Sequence, residues 1–150
     1  MTTRLPGSAS RGPTTGARAD KPLVLDTTVL IDALRGRPAA DRIEELMAED
    51  ELLLTTAINV EEIVRGLRPA EQEAVDLLVT GLRVVPIRRA EAERAGRWRR
   101  EFAGQGVTLH QADCLIAAAA YSAAGGRLAT ANIKDFPMPE LTVLEWPVGR

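Results

Sequence analysis

Aromatic side chains make up only 3% of this 150-residue chain, so any core has to be built from Leu, Val, Ile and Ala. A single cysteine, Cys114, excludes an intrachain disulfide, and a reducing compartment such as the cytoplasm fits that usage best. With one histidine and one cysteine, the chain also lacks the ligands for a zinc site. No apolar run approaches the roughly 20 residues that a membrane span requires. The N-terminus lacks the apolar core of about 7–15 residues that marks a secretory signal. A surplus of positive charge is missing too: the net charge is −2. Bulk attraction to a polyanion is thereby excluded, and a nucleic acid has to be held by a local patch or through metal ions.

What remains is one domain's worth of ordinary globular sequence, 45% hydrophobic and 27% charged. The first 22 residues, "MTTRLPGSASRGPTTGARADKP", are rich in Pro, Gly, Ser and Thr, and are expected to form a flexible basic tail ahead of a domain over 23–150. The tail carries four bases against one acid, which leaves 15 bases against 20 acids in the domain. From Leu23 onward, short apolar runs alternate with helical patterns. Strands are expected at Leu23–Leu25, at "LLLTTAI" (52–58), at "RVVPI", at "RLAT" (127–130) and at "LTVLEW". Helices are expected from about Thr28, over Asp41–Ala48, Asn59–Leu67, around Val75–Leu82, over Glu91–Ala103 and over His110–Ala124, the last stopped by Gly125 and Gly126. Strands that are apolar throughout, separated by helices, imply an α/β fold: a three-layer α/β/α sandwich around a central parallel sheet.

In such sheets the functional crevice lies beyond the carboxyl ends of the strands. Asp26 stands there, directly after "LVL", where a bare carboxylate is costly to desolvate. Glu61 and Glu62 follow the second strand. Helical spacing sets Glu62 beside Ile58 and Ile63 and turns Glu61 towards solvent, although Asn59 and Glu62 also fit a capping box in which the acid serves only the helix. Asp113 lies in the first turn of the long helix, a place the helix dipole favours for any acid. Thr130, Asn132 and Asp135 follow the fourth strand, and the last two also suit an ordinary turn. Taken together, several acids at one end of a sheet repel unless a cation neutralises them. Hard carboxylate oxygens suit Mg²⁺ or Mn²⁺.

The stretches "VLDTTVLID", "EEIVRG", "ADCLIAAAA" and "LATANIKDF" resemble, in that order, the PIN domain, and within it the VapC-type toxins of bacterial toxin–antitoxin pairs. The resemblance spans about Leu23 to Trp146. It implies a PIN-like sandwich and a Mg²⁺- or Mn²⁺-dependent endoribonuclease with RNA, commonly tRNA, as substrate. A VapB-like antitoxin, a homodimer and a cytoplasmic setting without a membrane are implied as well. It assigns the acids Asp26, Glu62 and Asp113, with Asp135 as the fourth and Thr130 and Asn132 in support. On this reading Asp26 and Asp113 hold the first ion, Glu62 orients or deprotonates a water, and Asp135 helps bind a second ion. Two alternatives stand beside it: a haloacid-dehalogenase-like phosphohydrolase, which wants an acid where Thr28 stands, and a non-catalytic module on the same fold. "RRAEAERAGRWRR" offers six arginines against two glutamates, with Arg97 and Arg100 as the expected contacts to a nucleic-acid backbone and Trp98 turned to the core. His110 is expected to line the helix entrance, and Cys114 to be a small core residue.

Overall fold

A computed structural model describes residues 21–36 and 38–147. The expected tail at 1–22 falls, but for Lys21 and Pro22, outside the described residues. The elements in chain order are β1 (Leu23–Leu25), α1 (Thr27–Leu34), α2 (Pro38–Ala48), β2 (Leu53–Thr56), α3 (Ala57–Arg65), α4 (Gln72–Thr80), β3 (Arg83–Val85), α5 (Arg89–Gly104), α6 (Gln111–Ala124), β4 (Arg127–Thr130) and β5 (Thr142–Glu145). Single 3₁₀ turns occupy Pro69–Glu71 and Ile133–Asp135.

All five strands are parallel, in the spatial order β3-β2-β1-β4-β5. The chain winds outward from β1 to β3 and then crosses back to β4. β1 therefore leaves the sheet into α1 on one face, whereas its neighbour β4 leaves into the 3₁₀ turn whose following Phe136 packs on the other face, and a crevice opens between their carboxyl ends. Side chains that alternate along a strand separate the two cores. Val24, Leu54, Val85 and Leu128 pack with Trp98, Ile116 and the alanines 117–120 under α5 and α6. Leu23, Leu25, Leu53 and Ala129 pack with Val29, Leu30, Ile43, Ile63 and Val75 under α1 to α4. The expected three-layer α/β/α sandwich is the observed one. Central β1 and β2 are buried along their whole length, whereas the edge strands β3 and β5 are partly exposed.

Two boundaries differ from the expectation. The run "LLLTTAI" is strand only as far as Thr56, and Ala57 and Ile58 already belong to α3. The reason is local: the Thr56 hydroxyl accepts from the Asn59 amide at 3.3 Å and turns the chain into the helix there. "RVVPI" pairs only as far as Val85, because Pro86 has no N–H to offer a ladder. At the far end of α6, Gly125 takes a left-handed φ of 58° and Gly126 a φ of 88°. A side chain on Gly126 would meet the Glu140 carbonyl oxygen at 2.7 Å, so the glycine lets β4 start under the loop that leads to β5.

Candidate active site

Asp26 occupies the N-cap position of α1, yet its side chain makes no capping bond. Its carboxylate is only 6% exposed and sits between β1, β4 and α3. Thr130 Oγ1 at the end of β4 donates to Oδ2 at 2.7 Å, and Thr28 Oγ1 donates to the same oxygen at 3.3 Å. Asn59 Nδ2, on the first turn of α3, donates to Oδ1 at 3.2 Å. Burial pushes the Asp26 carboxyl above its ordinary pKa, and the Thr130 hydroxyl, the Thr27 main chain, Thr28 and Asn59 pull it back in that order. A carboxylate held by four neutral donors has its geometry fixed while its charge stays uncompensated.

Asn59 ties this acid to the next. It is fully buried, receives the Thr56 hydroxyl on its Oδ1 at 2.7 Å, and donates from Nδ2 to Thr27 Oγ1 at 2.9 Å. Thr27 Oγ1 in turn donates to Glu62 Oε1 at 2.8 Å. The capping box of α3 is therefore Thr56 with Asn59, and the expected alternative of Asn59 with Glu62 is corrected. The helix starts three residues earlier than that pairing requires, and Glu62 is left free of capping duty. Glu62 is half-buried at the crevice and Glu61 exposed, as helical spacing from Ile63 requires.

Asp113 sits half-buried in the first turn of α6, after His110 at the N-cap. Its carboxyl is raised to about 6, first by burial and then by the charges of Asp135, Asp26 and Glu62, against a lowering by His110. The other three expected acids thus all bear on Asp113 at the carboxyl ends of β1 and β4. Asp135 is exposed in the 3₁₀ turn after β4. Asn132 is exposed as well, and its main-chain N–H donates to Thr130 Oγ1 at 3.1 Å, so it fixes the hydroxyl that in turn fixes Asp26. Among the described residues, neither ion pair reaches any of these acids; both bind arginines to other glutamates. No three acidic, histidine or cysteine side chains of the described residues stand close enough to form a ready metal cage. Cys114 is fully buried in the α6 core and Trp98 is 3% exposed, both as expected.

Sequence reasoning missed the orienting layer. Thr27, Thr28 and Asn59 follow strands, where hydroxyl and amide residues read as ordinary helix caps. The available signal was their concentration: "DTT", "TTAIN" and "TAN" place threonine or asparagine after each of the three central strands.

The profile of the PIN domain matches residues 23–136. The chain belongs to the PIN-domain family. Its residues are 34% identical over 118 positions to the ribonuclease VapC10 of Mycobacterium tuberculosis, covering 79% of this chain and 88% of that protein. VapBC2 from Rickettsia felis, solved bound to a DNA fragment from their promoter, superposes with a TM-score of 0.73 over 84% of this chain and 99% of that one; at 23% identity the likeness speaks for the fold. A toxin–antitoxin complex from Klebsiella pneumoniae gives a TM-score of 0.65 at 25% identity, covering 80% and 95%. This PIN domain is thus a homologue of VapC ribonucleases. None of its described helices is long and apolar enough to cross a membrane.

Proposed function

We propose that this PIN domain is a VapC-type endoribonuclease toxin that uses Mg²⁺ or Mn²⁺ bound by Asp26 and Asp113. The observation that carries the reading is electrostatic. Asp26 is buried under neutral donors alone, and Asp113 is driven up to about 6 by burial and then by three further carboxylates, with no arginine or lysine of the described residues paired to any of them. Such a site is poised for a cation. The hard oxygen donors fit Mg²⁺ or Mn²⁺, and the want of a three-acid cage fits an ion that keeps several waters and takes only one or two carboxylates plus substrate phosphate. The ion would supply charge neutralisation at the phosphate and lower the pKa of a bound water.

The protein's own contribution follows from the contacts above. Thr130, Thr28 and Asn59 hold both Asp26 oxygens still, so that a ligand pays little ordering cost there. Thr27 fixes Glu62 through Oε1, which leaves Oε2 to take a proton from the attacking water. Asp113 stands opposite as the second anchor. Asp135, at the exposed rim, extends the acid set and would help hold a second ion beside substrate phosphate. Attack by water rather than by the ribose 2′-hydroxyl leaves 5′-phosphate and 3′-hydroxyl ends. The expected substrate is tRNA or another structured RNA, the expected inhibitor a VapB-like antitoxin laid over the crevice, and the expected assembly a homodimer. The toxin–antitoxin complex among the structural neighbours supports the inhibitor. The test is to map new RNA ends after induction of the protein beside an Asp26→Asn control, and to repeat the cleavage in vitro with Mg²⁺, Mn²⁺ or EDTA. The scheme expects ends that carry 5′-phosphate and vanish in EDTA and in the control. Cyclic 2′,3′-phosphate products, or full activity in EDTA, overturn it.

A further inference from the structure

An acid-lined crevice repels the phosphates that flank any scissile bond, so a nuclease built on it needs cations close by. The arginine-rich helix α5 holds more of them than any other element, and the structure sorts them. Arg89 is spent on Glu93, with Nε and Oε1 2.6 Å apart. Arg94 is stacked 3.8 Å over the Tyr121 ring and 5.7 Å from that of Trp98. Arg97, Arg99 and Arg100 are exposed and form no ion pair with a described residue.

The packing of α5 on α6 shows which of the three lies nearest the acids. The two helices run antiparallel: Ser122 Oγ donates to Glu91 Oε2 at 3.2 Å, and one turn further along α5 Arg94 meets Tyr121, one residue back on α6. Continued towards the C-terminus of α5, this register brings residue 99 beside the first turn of α6, where Asp113 and Cys114 lie. With Trp98 and Ala95 buried against the core, Arg99 falls on the flank next to that turn, whereas Arg97 and Arg100 face away.

We propose that Arg99 is a positioning residue that grips an RNA phosphate next to the scissile one and sets the strand's register over Asp113. This rests on the nuclease reading above and replaces the expected contacts Arg97 and Arg100 as the leading ones. A guanidinium suits the task because its planar fork holds two phosphate oxygens at once.

The test uses the full chain carrying Asp113→Asn, so that bound RNA survives, and a labelled mixed-sequence oligoribonucleotide as probe in a salt titration from about 50 mM upward. Arg99→Ala is expected to weaken binding about 5- to 10-fold at the lowest salt and to reduce the salt slope by about one. Arg89→Ala, at the other end of the helix, is expected to stay within about 2-fold because its side chain is already paired. Arg99→Lys keeps the charge and is expected to recover most of the affinity. The proposal is overturned if Arg99→Ala binds like the parent, if its loss only equals that of Arg89→Ala, or if Arg99→Lys falls as far as Arg99→Ala. If the chain with Asp113 intact cleaves RNA although Arg99→Ala leaves binding untouched, this inference alone is sunk. If RNA is bound through Arg99 and the chain with Asp113 intact cleaves none, the nuclease reading is sunk instead.

Discussion

Replacing Asp113 by Asn is expected to destroy activity and yet to strengthen the metal-free fold. The carboxyl is raised from 3.8 to about 6, so the folded chain holds its proton more tightly than the unfolded chain does. Native stability therefore falls as the pH climbs from about 4 through 6, and at neutral pH the ionised group is a net burden. About two pH units at roughly 1.4 kcal/mol each would give about 3 kcal/mol. Asp113 is only half-buried and solvent screens part of the repulsion, which brings the expected gain to about 1–2 kcal/mol, or roughly 3–6 °C in Tm for a domain of this size. Asn keeps the shape and places an amide among three carboxylates that accept hydrogen bonds. The assay is thermal or urea denaturation of parent and variant in EDTA at pH 7.5 and pH 4.5. The variant should be the more stable at pH 7.5, and most of the gap should close at pH 4.5, where the parent carries its own proton. Millimolar Mn²⁺ should then stabilise the parent more than the variant. A variant no more stable than the parent at pH 7.5, or a gap indifferent to pH, would refute the account of mutually repelling acids.

Two further outcomes are expected. Asp135→Asn should lower the cleavage rate and its Mn²⁺ response, whereas Asn132→Ala, which keeps the main-chain N–H on Thr130, should lower cleavage less; equal losses in the two variants would argue against separate roles for them. Gly126→Ala should destabilise the fold by about 2 kcal/mol or more, read from its urea midpoint, since it combines a left-handed φ with a 2.7 Å clash against main chain; an unchanged midpoint would show that the Glu140 loop yields freely.

The layered fold was legible because a strand buried on both faces has to be apolar throughout, as "LVL" and "LLTT" nearly are. The start of α3 was not, because the β-branched and apolar run "LLLTTAI" offers no change of period where the chain turns; only the hydrogen bond between Thr56 and Asn59 marks the point. The acids stood out by place and charge, each following a strand or opening a helix. Their supports did not, since Thr27 and Asn59 serve through contacts made over 32 residues or more between α1 and α3, and Thr28 meets Thr130 of β4 across 102 residues. Arg99 was equally hidden: periodicity gives the face of a helix that is buried, but which flank adjoins a neighbouring element depends on how the two helices pack.

The shortest bond to Asp26 comes from a threonine 104 residues further along the chain. While the protein is still emerging from the ribosome, Asp26 is available early, but the strand that completes its surroundings follows only about a hundred residues later. A molecule made only as far as α6 therefore carries a pit without its far wall, and whatever chemistry the finished pit performs waits for β4. For a nuclease of the kind proposed above, this order of assembly would keep the site incomplete until β4 has been made.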